Sequence, residues 1–300
     1  MIEGAASYAT TRADARQLTM RHIAEKIAFG VLWLCGIATV AVLLAIVGYV
    51  MREGLKVIDW EFLTTAPRGG LAGEGGMSTT FATTLYLVAL TIAIAAPIGI
   101  GAGIYFVEYA SDMQGSAGPM GSIVSFARFG VETLAGVPSI IFGLFGYALF
   151  VVTLHFGFSL LSAGLAGACL ILPVIIRTTE EALKAVPRTY REGSLALGVT
   201  KWQTIWQVVL PAASRGIITG IVLSVGRVIS ETAVFFVTLG GSSNLPKSLL
   251  SSGRTMALHL YYLAMDTRAF DKAMGTAAVL IVTIVVINLA INLLSRKLQI

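Results

Sequence analysis

Pro187-Arg-Thr-Tyr-Arg-Glu-Gly-Ser-Leu-Ala-Leu-Gly198-Val-Thr-Lys-Trp-Gln-Thr-Ile-Trp-Gln-Val-Val-Leu-Pro211 is the stretch on which the reading of the fold turns. It lies in a longer segment, Arg177–Arg215, that is too charged to cross a bilayer yet carries helix punctuation rather than linker composition. Pro187 suits the first turn of a helix, where its missing N–H is no loss, and Gly198 suits the C-terminal cap, so Pro187–Leu197 reads as a short helix. Thr200 with Gln203 forms a capping box opening a second helix, Lys201–Val209, which the sequence ends at Leu210–Pro211. On the first helix Val186, Tyr190, Gly193, Ser194 and Leu197 recur at spacings of three and four, flanked by Arg188, Arg191 and Glu192. Gly and Ser at the centre of that face leave room for a partner's backbone, and the apolar rim supplies burial when it docks in a groove. The same pattern suits a helix lying on the bilayer surface or on its own bundle.

On both sides of this segment the chain turns apolar in blocks. With 56% apolar and 12% charged residues over 300 positions, and a mean hydropathy of +0.83, its composition is far from the roughly 25% charged residues of soluble domains. Six blocks approach or exceed the roughly 20 residues that cross the hydrocarbon as a helix: Ile27–Val50, Thr80–Val107, Leu134–Leu154, Phe158–Ile176, Gly216–Leu239 and Ala273–Leu294. None has the alternation of a membrane barrel, so the expected fold is all-α, a polytopic bundle of six transmembrane helices. The first block is too long for a cleaved signal peptide, so residues 1–26 read as a cytoplasmic segment and 27–300 as one membrane domain, with no internal repeat. Placing the N-terminus inside puts thirteen Lys and Arg (Arg12, Arg16, Arg21, Lys26, Arg128, Arg177, Lys184, Arg188, Arg191, Lys201, Arg215, Arg296, Lys297) in cytoplasmic segments. Seven (Arg52, Lys56, Arg68, Lys247, Arg254, Arg268, Lys272) fall outside, in agreement with the positive-inside rule. The net charge of +5 is a topology signal and implies no nucleic acid. The outward loops are then Met51–Thr79, irregular and Gly-rich at Arg68–Gly76, a tight turn at His155–Gly157, and Gly240–Lys272. Gly99 with Gly103, and Gly216 with Gly220, each form a notch for a neighbouring helix.

Arg227 is the twelfth residue of the fifth block and Glu231 follows four residues later, on the same face of a continuous helix. A charge at that depth costs at least about 2.5 kcal/mol, so both must face the bundle interior or water. A guanidinium offers a planar fork of donors that takes an oxyanion at two points, with Glu231 holding it when no substrate is present. The alternative is a self-neutralising pair that only orients the helix. Arg177, at the end of the fourth block, either snorkels or, if the helix continues past Thr178, becomes a second anion contact. His22, His155 and His259 are scattered and Cys35 and Cys169 lie in spans, which gives no metal-ligand spacing. Gly241–Ser248 has the outline of a phosphate loop, but Pro246 stands where its glycine is needed. No GxSxG or metal motif supports an intramembrane enzyme, and a secondary carrier has no use for the punctuated helix pair.

Glu192-Gly193-Ser194, three residues, Gly198, nine residues, then Val208-Val209-Leu210-Pro211 resembles the EAA loop of ABC-importer permeases, with Gly and Ser in place of its two alanines. The runs Ala135–Gly146, Leu172–Pro187, Arg191–Gly198 and Gly220–Thr232 resemble the PstA-type permease of phosphate importers, with Ser230-Glu231-Thr232 where that family has Gly-Glu-Thr. The resemblance implies a type I permease fold and makes Glu181, Arg191, Glu192, Gly193, Ser194, Gly198, Leu210 and Pro211 the coupling element for a cytoplasmic ATPase. The family's intramembrane arginine and glutamate match Arg227 and Glu231. The implied partners are a paralogous PstC-type permease, two PstB-type ATPase subunits that use ATP and Mg²⁺, and a PstS-type phosphate-binding protein. The chain itself is expected to bind no cofactor and catalyse no reaction, and to lie in the bacterial inner membrane with both termini cytoplasmic. A permease for another oxyanion, such as sulfate, molybdate or phosphonate, or the partner permease itself, is the alternative.

Overall fold

A computed structural model describes residues 2–69, 73–110 and 119–297; Gly70–Ala72 of the glycine-rich stretch lies outside them, as do the side chains of Arg12, Arg16, Arg296 and Lys297. The chain divides into two compact units, Met1–Arg52 and Glu53–Ile300. The first consists of most of α1 (Ile2–Gly54), an unbroken helix whose Glu25–Gly54 stretch is long and apolar enough to cross a membrane. The predicted boundary at residue 26 is therefore a change of composition and not of backbone.

The second unit opens with α2 (Trp60–Thr64), whose N-terminal N–H groups are capped by Asp59, and a small antiparallel pair, β1 (Pro67–Gly69) and β2 (Glu74–Gly75). The loop predicted to face outward at Met51–Thr79 thus has regular structure that its glycine content hid. Then come α3 (Ser78–Ile104), continued by a π turn at Tyr105–Tyr109, and α4 (Pro119–Ala135). α5 (Ser139–Gly146) runs into a second π turn, Tyr147–Thr153, and α6 (Leu160–Lys184) follows. After these come α7 (Arg188–Ala196), α8 (Lys201–Thr204), a π turn at Ile205–Val209, α9 (Leu210–Ser230) and α10 (Ala233–Thr238). α11 (Met256–Met265) and α12 (Phe270–Lys297) complete the chain. Among the described residues five helices can cross a membrane, or six if the α4–α5 pair counts as one span.

Four of the predicted boundaries are corrected. The third block is not one helix from Leu134: the chain turns through 109° between α4 and α5 at Gly136-Val137-Pro138, because a residue before proline is pushed out of the helical region. The fourth span continues to Lys184, so Arg177 is helical. The second helix of the predicted pair does not stop at Pro211; Lys201–Ser230 is one run of 30 residues. A π turn carries the N–H of Leu210 back to the carbonyl of Ile205, and the proline follows where the ladder has already been widened. The fifth block breaks after Ser230, whose hydroxyl donates back to the carbonyls of Gly226 and Arg227, leaving Glu231 extended at ψ 130°.

α6 is the central helix: 67% of its most apolar window is buried, against 22% for α12. Both glycine notches close on it. A Cβ at Gly99 or Gly103 would lie 2.7 Å from Ile175 Cγ2 or Thr179 Cγ2, one at Gly216 would lie 2.5 Å from Ala182, and one at Gly220 would overlap Thr178. α3 and α9 therefore pack side by side on neighbouring faces of α6 at near-backbone contact. Overpacking such a seam costs about 1–3 kcal/mol or more. We expect Gly220→Val to lower the thermal unfolding midpoint of the purified protein in detergent, and Gly226→Val, whose Cβ meets open space, to leave it unchanged.

The segment between α10 and α12 folds back on this bundle. Carbonyls of Ser251 and Leu249 accept the N–H groups of Leu160 and Leu161, which have no intrahelical acceptor. Thr84 Oγ1 of α3 accepts the N–H of Met256 at 2.9 Å. His259 in α11 is 4% exposed, and burial, with Arg254 and Lys272 nearby, pushes its pKa down to about 4, so it is neutral at physiological pH.

Candidate functional site

At the other end of the bundle the Pro187–Pro211 segment forms the predicted helix pair. Pro187, at φ −56° and ψ 140°, ends the path from α6 and starts α7; Gly198 reverses the chain at φ +80°, a conformation open to glycine. The Thr200–Gln203 capping box is present in both directions. Ser194 Oγ lies 2.9 Å from Thr204 Oγ1 and ties α7 to α8.

No residue of α7 is buried. Tyr190, Glu192 and Gly193 are exposed, and Leu197 is 84% exposed. Two members of the expected face turn the other way. Val186 is buried with Leu183, Val209, Ala213 and Ile217, and Ser194 faces α8, so of that face Tyr190, Gly193 and Leu197 remain exposed. Leu210 and Pro211 sit in the continuous α8–α9 run rather than at a terminus.

Arg191 also points inward. Its Nε and Nη2 donate to Glu108 Oε1 at 3.0 and 2.7 Å, Nη1 donates to the Val186 carbonyl at 2.9 Å, and Nη2 to the Leu183 carbonyl at 2.9 Å. A second network lies beside it: Arg128 of α4 donates to the Phe106 carbonyl at 2.9 Å and approaches Glu180 at 3.6 Å, while Lys184 donates to Glu180 at 2.9 Å. Glu108, Arg128, Lys184 and Arg191, with Arg188, Glu192 and Lys201, line a cleft of about 560 Å³ under α7.

The predicted anion contacts lie elsewhere. Arg177 and Glu181 are exposed and 3.6 Å apart on one face of α6. Arg227 is exposed in the last turn of α9, and its guanidinium has no hydrogen-bond or ion-pair partner among the described residues. The expected continuous-helix pairing with Glu231 is absent, because the helix ends between them; Glu231 Oε1 instead accepts the N–H of Val234 at 3.3 Å and caps α10. Gly220 packs at the level of Thr178, so seven residues of helical rise put Arg227 roughly 10 Å along the bundle from Arg177.

A family model described as "Binding-protein-dependent transport system inner membrane component" matches residues 115–299, which include the helix pair and everything after it. The chain belongs to this family. Among the permease's relatives, the probable ABC transporter permease protein YqgI of Bacillus subtilis is 32% identical over 286 residues, covering 90% of this chain and 94% of its own. The phosphate transport system permease protein PstA of Mycobacterium leprae is 35% identical over 245 residues, covering 80% of this chain and 78% of its own. The permease's fold matches a chain of a bacterial alginate ABC transporter with a TM-score of 0.63 at 14% identity, over 89% of this chain and 95% of that one. A chain of the MetNI methionine ABC transporter matches with a TM-score of 0.55 at 19% identity, over 73% and 92%. The fold is that of a type I ABC-importer permease.

Within the permease, Glu108 is the residue that sequence reasoning missed. It stands one place beyond the predicted end of the second block, a position where a carboxylate reads as solvated, and its partner Arg191 is 83 residues away.

Proposed function

We propose that the permease forms half of the translocation pathway of an ATP-driven importer of inorganic phosphate, and that α7 is its coupling helix. The observation that carries the substrate is the identity with PstA permeases over four-fifths of the chain. The reading places the chain in the bacterial cytoplasmic membrane with both termini cytoplasmic, beside a PstC-type permease. Two PstB-type ATPases would bind below, and a PstS-type binding protein would deliver phosphate above. ATP and Mg²⁺ belong to the ATPases; this chain is non-catalytic and binds neither.

The geometry suits each role. An exposed apolar surface with glycine at its centre, on a helix fixed at both ends by Pro187 and Gly198, can dock rigidly in a cleft of the ATPase. Closure of that cleft then acts on α6 and α9, between which the helix pair lies in the chain and which are locked together through Gly216 and Gly220. Arg227, unpaired and exposed on this protomer, is free to face a path shared with the second permease. Its fork supplies charge-assisted hydrogen bonds to an oxyanion. Glu231, at the helix break, and Arg177, about two turns along the bundle, flank that path.

Oxyanion identity is tested in the reconstituted complex by measuring ATP hydrolysis with the binding protein loaded with different anions. We expect phosphate to stimulate hydrolysis while sulfate and molybdate leave it at the basal rate; stimulation by sulfate or molybdate alone would replace the substrate and keep the permease.

A further inference from the structure

Resting on that reading of α7 as the coupling helix, we propose that Glu108 is a positioning residue: through Arg191 it fastens the coupling helix to the end of α3, so that α3 moves with α7 during transport. The chain itself joins α7 to α6 through Ala185–Pro187 and to α8–α9 through Leu197–Thr200. α3 has no such covalent link; it meets the helix pair through packing of Ile104 and Val107 on the cluster of Val186 and Val209, through Lys201 of α8 over the Tyr109 ring, and through the Glu108–Arg191 pair, which is the charged contact to α7 itself.

The geometry is that of a fastening. Two guanidinium nitrogens converge on one carboxylate oxygen at 3.0 and 2.7 Å. The remaining donors take the carbonyls of Leu183, in the last turn of α6, and of Val186, just beyond its cap, where the helix dipole favours a cation. One side chain thus holds three elements: its own α7, the end of α6, and the π turn after α3. Glu108 lies in that π turn, Tyr105–Tyr109, and is 7% exposed; Arg191 is 19% exposed, so water competes little for the pair. A guanidinium is needed because an ammonium cannot reach the carboxylate and both carbonyls from one fixed fork. Beyond the turn, Gly99 and Gly103 press α3 onto Ile175 and Thr179 of α6, so a displacement at Glu108 is carried along a closely packed seam.

The test uses the full complex with its ATPases and binding protein. Glu108→Gln keeps the size of the side chain and an oxygen acceptor but removes the charge, and Arg191 keeps its two carbonyls. We expect ATP hydrolysis within about twofold of wild type, with phosphate taken up per ATP reduced about tenfold. Arg191→Lys should likewise lower the phosphate taken up per ATP, and Glu108→Asp, which keeps the charge, should recover most of the loss. Hydrogen exchange across Tyr105–Tyr109 should accelerate in Glu108→Gln, a readout that does not depend on which anion is carried. Unchanged uptake per ATP with unchanged exchange would overturn the proposal. So would a parallel fall of hydrolysis, uptake and complex yield that Glu108→Asp does not relieve, the signature of a role in stability alone. Absence of phosphate uptake by the wild-type complex would count against the substrate reading, and the exchange measurement would still decide the role of Glu108.

Discussion

Gly193→Trp is expected to leave the permease folded and inserted while reducing ATPase co-purification, and ATP-driven uptake with it, at least about tenfold, or roughly 1.4 kcal/mol of association. A Cβ built on Gly193 meets nothing within 4 Å, and the residue is exposed in the middle of α7. Within this chain, therefore, a side chain at this position disturbs no packing. Gly193→Ala should even stabilise the helix, by about 0.8–1 kcal/mol, since glycine is the poorer helix former. An effect of the indole must then come from a surface that covers α7 in the assembly. Co-purification of the ATPase with tagged permease checks this, with the unfolding midpoint of the isolated chain as the control. The opposite pattern, a destabilised chain with ATPase retained, would mean that α7 packs on its own bundle.

Arg227→Gln should lower phosphate uptake about ten- to a hundredfold in an intact complex, the range expected for loss of hydrogen bonds to a charged group. The guanidinium has no partner among the described residues, so its removal strands no buried carboxylate, and assembly and basal hydrolysis should stay near wild type. Arg227→Lys should fall between, keeping the charge and losing the two-point fork. Uptake at each substitution, normalised to complex recovered by size exclusion, reads the effect directly. Uptake equal to wild type in Arg227→Gln would take this residue out of the anion path and leave the break at Glu231 as a packing feature.

What could be read from the sequence follows from the range of the forces involved. Pro187, Gly198 and the Thr200–Gln203 box act within a turn of chain, and each has its expected geometry. Gly136-Val137-Pro138 carries the same kind of local signal as Pro187, but it sits inside an apolar run, where hydropathy averages over the break and reads one span. The break at Glu231 is harder still. Ser230 hydroxyl donation to preceding carbonyls is compatible with a continuing helix, and an intramembrane Arg and Glu four residues apart invite a pairing that the backbone does not allow. The glycine notches were legible as notches, but that both close on α6 depends on tertiary packing. Glu108 and Arg191 meet only because α3 and α7 end on the same side of the bundle, and no spacing in the sequence records that.

The central claim is that this chain moves phosphate only as part of an ATP-driven assembly, and uptake of radiolabelled phosphate into proteoliposomes tests it most directly. With the second permease, the ATPases and loaded binding protein present, uptake should require ATP and fall to background when the ATPases are omitted or their hydrolysis is blocked. Phosphate uptake by this chain alone, driven by a proton or sodium gradient without ATP, would contradict the account.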